Sequence, residues 1–243
     1  MRITLDLLKS SISKKGYIWF NDRPNIIGIR SSLDVPNVFN DFLCLSWIQP
    51  QMPNGLDARS QQSWLNKNLF FDQNGQKLSE DGNIGTGTKF AINSYLNSVG
   101  KERLKIWTIT TDPGTYWLNN PINRLGTAVL KPNQWIDCWQ IGNHKSDPKH
   151  PALVQVKPLT VWRDSNRDNL ITTGTREETG LFGINIHRSN LTGRTMSIGK
   201  WSAGCQVFQT KTHLDQLLSI CNLYRKSVGN RFTYTLLEEK DIK

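Results

Sequence analysis

Residues 183–208 read GINIHRSNLTGRTMSIGKWSAGCQVF. An apolar alternation leads into His187, a polar loop rich in Gly, Ser and Asn follows, and Ser202-Ala203-Gly204-Cys205 comes before a second apolar pair. Alternation bounded by such residues is the signature of strands joined by turns. Cysteine catalysis requires a thiolate beside an imidazole and backbone N–H groups aimed at the developing oxyanion. Cys205, His187 and the tight Ala203-Gly204 approach can supply all three, so the stretch points to acyl transfer on a β-rich scaffold.

The flanking sequence agrees with such a scaffold. Residues 17–20, 26–30, 42–48, 104–110, 152–156, 159–162 and 182–187 read as short strands, each bounded by Gly, Pro, Asn or Asp. Pro113-Gly114 marks a corner that feeds Tyr116 and Trp117 into a core or a groove. Residues 51–102 break the pattern: they are polar and turn-rich, with a helical stretch near residues 89–96, and form either a lid or binding appendage or a decorative insertion. Beyond the motif, residues 212–226 place Leu214, Leu217, Leu218 and Cys221 on one helical face, with Thr212 and Asp215 as a capping pair and Gly229 as the stop. Phe232, Tyr234 and Leu236 then alternate with polar residues as a final strand. The expectation is one mainly β domain over residues 1–243, with a few helices and the polar insertion.

Composition narrows the partners. The chain has 243 residues, 37% hydrophobic and 21% charged, and no apolar run near the ~18 residues of a membrane span. No membrane span is therefore expected. The first twenty residues form a short amphipathic segment without the apolar core and small-residue cleavage site of a secretory signal, so synthesis in the cytoplasm is expected. Cys44, Cys138, Cys205 and Cys221 are widely spaced with no CxxC pair, which argues against a disulfide framework or a zinc site. The net charge of +10 favours anionic partners: wall polymers, nucleic acid or acidic membrane surfaces. Arg188, Arg194, Lys200, Lys211, Arg225, Lys226 and Arg231 follow the candidate histidine with Asp215 as the sole acid among them, which suggests a basic substrate-facing surface.

His187, Ser197-Ile198-Gly199 and Ser202-Ala203-Gly204-Cys205 together resemble the catalytic motif of the L,D-transpeptidase (YkuD-type) family. The eighteen-residue separation of His187 and Cys205 is close to that family's spacing. The resemblance covers about a tenth of the chain. It implies a β-sandwich, a Cys205 nucleophile, His187 as general base, and an oxyanion hole built from the backbone of Ala203, Gly204 and Cys205. Ser202 is assigned as a supporting hydroxyl, and Trp201, directly before it, reads as the tryptophan that lines the groove. A backbone carbonyl just after His187 would orient the imidazole. No cofactor is implied. Three positions depart from the family pattern: Arg188 replaces a glycine, Ala203 replaces a basic residue, and Gln206-Val207 replaces an Ile/Val-Arg pair. The arginine that contacts a substrate carboxylate in relatives is thus absent, and Arg188 or Arg194 would have to substitute for it.

The remaining polar clusters carry weaker signals. His144 and His150 lie in a polar loop and read as solvated, with His144 able to line a cleft. No histidine shows metal-ligand spacing on one helix face, and no metal is expected. Residues 164–169 imitate a calcium loop but have Asn169 in place of its glycine and Thr175 in place of its bidentate Glu, so they read as a hairpin turn. Most of the nine tryptophans fall in strand-like runs and read as core.

The function expected is a peptidoglycan-directed cysteine acyltransferase or peptidase acting on stem peptides. Its setting would be the bacterial cell wall, reached after lysis or by a secretion or phage apparatus, with hydrolysis the favoured outcome. The alternative is a non-catalytic wall-binding or particle-structural module with the same fold. A nucleic-acid-binding role needs no His–Cys pair and is not the expected one; the oligomeric state is left open.

Overall fold

The computed structural model describes residues 2–32, 35, 37–144 and 150–242. The chain opens with helix α1 (Leu5–Lys14), strands β1 (Asn25–Arg30) and β2 (Asp41–Ile48), and helices α2 (Ala58–Lys67) and α3 (Thr86–Leu96). Strand β3 (Glu102–Thr110), the short helix α4 (Thr115–Asn119), and strands β4 (Thr127–Leu130), β5 (Asn133–Asn143) and β6 (Pro151–Gln155) follow. Strands β7 (Leu159–Asp164), β8 (Glu177–Gly180), β9 (Ile186–Arg188) and β10 (Gln206–Phe208), helix α5 (Lys211–Val228) and strand β11 (Phe232–Glu238) complete it. Among the described residues no helix is long and apolar enough to cross a membrane.

Eight strands close into a barrel in the order β1-β11-β5-β6-β9-β10-β3-β2, and β4-β7-β8 form a separate three-stranded sheet. The β-rich expectation therefore holds. The main sheet, however, closes on itself where the family resemblance implies two facing sheets. Closure depends on the parallel pairing of β1 with β11, in which Ile26 faces Tyr234 and Arg30 faces Glu238.

Period-two alternation decides which side chains fill the interior. Ile26, Leu43, Leu45, Trp47, Trp107, Ile109, Trp139, Leu153, Ile186, Phe208, Tyr234 and Leu236 form the main core, and α5 adds Leu214, Leu217, Leu218, Ile220 and Cys221. The intervening residues Ile27, Ile29, Cys44 and Leu237 face outward and are covered by Leu8 and Ile12 of α1. Four helical positions separate these two leucine and isoleucine side chains, so one stripe of a ten-residue helix is enough to seal that wall. Helix α1 is started by Thr4, whose side chain accepts the Leu7 N–H.

A buried polar network crosses the barrel beneath β10. The Tyr234 hydroxyl donates to Gln206 Oε1 at 2.8 Å, and Arg30 Nε donates to Thr111 Oγ1 at 3.0 Å and pairs with Asp112 at 2.9 Å. Asp41 accepts the Thr111 N–H at 2.6 Å. Such a network favours one arrangement, because any slip strands further buried polar groups beside the already unpartnered Arg30 Nη1. Here it fixes the position of the residue that follows Cys205.

The insertion at residues 51–102 contains two helices around a small core of its own, with Leu65, Phe70, Leu78, Ala91 and Tyr95. Arg103 ties it to the barrel by stacking over Trp47 and Phe70 at 4.7 and 4.1 Å while donating to the carbonyls of Asn68 and Leu69.

Several local expectations are corrected. Residues 17–20 do not form a strand, although Ile18 exchanges two 2.8 Å hydrogen bonds with the Gln134 side-chain amide, which stands in for a neighbouring backbone. Strand β9 starts only at Ile186, after Gly183 with φ of 75°. Helix α5 is capped by Thr210, whose hydroxyl accepts the His213 N–H, two residues before the expected Thr212. Thr233 and Thr235 are buried rather than facing water, because β11 is flanked on both edges and covered on both faces.

A Cβ on Gly28 would overlap the Tyr234 hydroxyl that reaches Gln206. Gly28→Ala is expected to lower unfolding stability by about 1–3 kcal/mol. Urea denaturation checks this, and a loss below ~0.5 kcal/mol would show that Tyr234 moves aside freely.

Candidate active site

Strands β9 and β10 run parallel, with Gln206 beside Ile186 and Val207 beside His187. This register has a direct chemical result. Cys205, one residue before β10, lies level with Asn185, one residue before β9, and both Cys205 and His187 project on the face opposite the Ile186 side chain that fills the barrel. The Gln206 N–H donates to the Asn185 carbonyl at 2.9 Å, and the Asn185 N–H donates to Cys205 Sγ at 3.4 Å. The thiol in turn donates to the Gly183 carbonyl at 3.4 Å.

His187 is 4% exposed, and its Nδ1 lies 2.6 Å from the Arg188 carbonyl. A carbonyl only accepts, so Nδ1 carries the proton and Nε2 presents its lone pair. The orienting carbonyl expected after His187 is thus that of Arg188. Burial, with the neighbouring His144, His150 and Arg188 working against the cation, pushes the imidazole down to about 3, despite the opposing hydrogen bond to the Arg188 carbonyl. Burial likewise pushes the Cys205 thiol up to about 11, partly offset by the Asn185 N–H. Both groups rest neutral at pH 7.

The Cys205 turn is braced from several directions. Ser202 is fully buried; its hydroxyl donates to the Cys205 carbonyl at 2.8 Å and accepts the Gly204 N–H at 3.2 Å. Ser202 therefore shapes the turn. Gly204 adopts φ of 119°, and a Cβ there would collide with the Ala128 carbonyl of β4. Upstream, the Gly199 N–H donates to Asn37 Oδ1 at 2.5 Å, and Gly114 donates to the Ser202 carbonyl at 2.9 Å while packing directly on Gly199. The Pro113-Gly114 corner thus supports the cysteine loop, and the Trp117 indole donates to the Lys200 carbonyl at 3.0 Å.

A cavity of about 600 Å³ opens above the cysteine, lined by Trp117, Phe182, Trp201 and Ala203 and including Arg163, Lys200, His144, His150, His187 and Cys205. Of the expected oxyanion donors, Gly204 directs its N–H to Ser202, leaving Ala203 and Cys205 for that role. Trp201 lines the cavity as expected. Arg188 and Arg194 do not. Strand alternation turns Arg188 away from His187, where it is buried and donates to the Ser189 carbonyl, and Arg194 donates twice to Gln209 Oε1. Of the seven basic residues expected around the site, only Lys200 lines the cavity; Arg163 of β7 joins it there. None of residues 51–102 lines this cavity.

The histidine expectation changes most. His144 and His150 face one another across the loop after β5, with the His144 N–H donating to the His150 carbonyl at 2.8 Å. Because β6 pairs with β9, their rings meet His187 at 4.9 and 5.3 Å. His150 is buried, not solvated. Ligand atoms of His144, His187 and Cys205 lie within 4.8 Å of one another, a constellation that sequence spacing had argued against. The imitation calcium loop is a turn: Asp164 accepts the N–H groups of Asn166 and Thr172 at 3.2 and 2.8 Å.

Fold and site together define a β-barrel protein with a buried His187 and a half-buried Cys205 at the floor of a mixed apolar and cationic cavity. Compared with protein-family models, with curated proteins and with solved structures, the chain matches none of them significantly. The chemistry of the site carries the functional argument.

Two outcomes follow. Gly204→Ala combines an unfavourable φ with a backbone collision and is expected to cost about 1–3 kcal/mol or more, read as a lowered urea midpoint. His187, held neutral in the fold, contributes stability that is complete above its unfolded value of 6.5 and is lost as pH falls toward 3. Between pH 6 and 4 the wild type should lose up to about 1.4 kcal/mol per pH unit more than His187→Gln. Parallel stability profiles for the two proteins would remove His187 as the cause.

Proposed function

We propose that this protein is a cysteine acyltransferase or peptidase of the L,D-transpeptidase kind, acting on peptidoglycan stem peptides through a thioester at Cys205. The observation that carries the reading is the approach of the Cys205 thiol to an imidazole whose Nδ1 is held by the Arg188 carbonyl, at the floor of a substrate-sized cavity. In the proposed reaction His187 Nε2 removes the thiol proton as the sulfur attacks a stem-peptide carbonyl. The Ala203 and Cys205 N–H groups receive the oxyanion, and His187 returns the proton to the departing amine. The thioester then passes to an acceptor amine or to water. Proton removal accompanies attack because burial disfavours a resting thiolate–imidazolium pair.

Lys200 supplies a cationic group suited to a stem-peptide carboxylate, the role that the sequence assigns to Arg188 or Arg194, while Arg163 beside it is committed to Glu178 at 2.7 Å. Trp117, Trp201 and Phe182 supply apolar walls. A divergent family member whose sheet closes into a barrel accommodates both the motif and the architecture. The rival reading, a non-catalytic wall-binding or particle-structural module, draws on the Gly204 N–H already engaged by Ser202 and on the raised thiol.

Digestion of purified sacculi with wild type and Cys205→Ala, followed by mass analysis of muropeptides, decides between them. The expected result is a wild-type product, whether a lost terminal residue, a cleaved cross-link or a new cross-link, that Cys205→Ala reduces by at least ~10²-fold. Identical muropeptides with both proteins, together with Cys205 alkylation rates unchanged in His187→Ala, would support the non-catalytic module.

A further inference from the structure

We propose that His144, His187 and Cys205 form a binding site for a divalent transition metal of the zinc class, and that metal occupancy silences Cys205 as a nucleophile. Three elements contribute. Cys205 comes from the turn before β10, His187 from β9, and His144 from the loop after β5, and the adjacency of β5, β6, β9 and β10 in the barrel brings them together. Their ligand atoms lie within 4.8 Å of one another. Tetrahedral zinc with bonds of about 2.0–2.3 Å places its ligands roughly 3.3–3.7 Å apart, so side-chain rotation of the order of an ångström closes the set.

The donors also select the metal. Two imidazoles and a thiolate, with no carboxylate among them, suit zinc or its neighbours in the transition series and are poor ligands for magnesium or calcium. His187 already has the second hydrogen bond that metal-bound histidines use, from Nδ1 to the Arg188 carbonyl, which leaves Nε2 as the nitrogen with a lone pair to offer a metal. Three protein ligands at the floor of a 600 Å³ cavity leave a fourth position open to water or to a small ligand.

Binding proceeds without redox change. The two imidazoles bind through neutral nitrogens, Cys205 binds as thiolate, and its proton leaves to solvent. The sulfur lone pair and the His187 Nε2 lone pair are then both committed to the metal. The silencing rests on the proposed cysteine acyl transfer; the metal site itself does not.

The test uses the full chain stripped of metal by chelator exchange and titrated with Co²⁺. Wild type is expected to develop a thiolate-to-cobalt charge-transfer band that saturates at one equivalent and is abolished by Zn²⁺. Cys205→Ser should lack the band, and His144→Ala and His144→Asn should both bind at least about tenfold more weakly while their thermal unfolding stays close to wild type. Zn²⁺ should slow alkylation of Cys205 by at least about tenfold. No band at millimolar Co²⁺, a band that persists in Cys205→Ser, or wild-type affinity in both folded His144 variants would overturn the site. A normal band in a protein that shows no Cys205-dependent muropeptide product even when metal-free would leave the metal site standing and remove the acyl-transfer reading.

Discussion

The parallel pairing of β9 with β10 is the constraint from which the candidate site follows. Only three residues on each strand take part, yet their register determines which side chains meet. Strand alternation then divides consecutive residues between two environments: Cys205 is presented to the cavity, whereas Gln206 enters the barrel and joins Tyr234 and the Thr111 carbonyl. Shifting β10 by one residue would bury the thiol in the barrel and expel Gln206 from its network. The polar network and the reactive turn therefore hold each other in place. The neighbouring β4 backbone sets the remaining limit, because it approaches Gly204 too closely for any side chain.

Burial gives this site its electrostatic character. It disfavours charge on both members of the pair, pushing the imidazole down and the thiol up. A preformed ion pair, the arrangement that makes some cysteines reactive at rest, is thus the less stable state here. The proposed chemistry instead requires that charge appear only as a partner enters, whether the developing oxyanion of an acyl substrate or a dication that compensates the thiolate. In both cases the site discriminates by what it is willing to neutralise. Lys200 on the cavity wall favours the first of these, the developing oxyanion, whereas the charge of the neighbouring Arg163 is already paired with Glu178.

How much of this was legible in sequence depends on whether an interaction is local. The strands that are runs of apolar and β-branched residues, such as β1, β2, β3 and β7, and the amphipathic α5 announce themselves because their signal is written in consecutive residues. Strand β5 does not. Its sequence NQWIDCWQIGN is polar, bends at Asp137 with φ of 54°, and is held by pairings to β11 and β6 whose residues lie far away in sequence. Cys205, His187 and the Arg188 carbonyl could be named from the motif because they lie within one short stretch. His144 and His150 could not, since their approach to His187 depends on β6 lying beside β9. Arg188 was misjudged for the same reason in reverse: its proximity in sequence to His187 is what sends it to the other face.

Barrel closure through β1 and β11 also orders events in time. Residues 25–30 are made long before residues 232–238, so a chain emerging from the ribosome exposes one edge of β1 and one edge of β5 until β11 has been synthesised. Long-range pairings of this kind form slowly, and open strand edges invite association with other chains. Helix α1, which covers β1 from outside, precedes it in the chain and can shield its apolar face during that interval. The ten residues of α1 then serve as a built-in holding surface until β11 enters between β1 and β5.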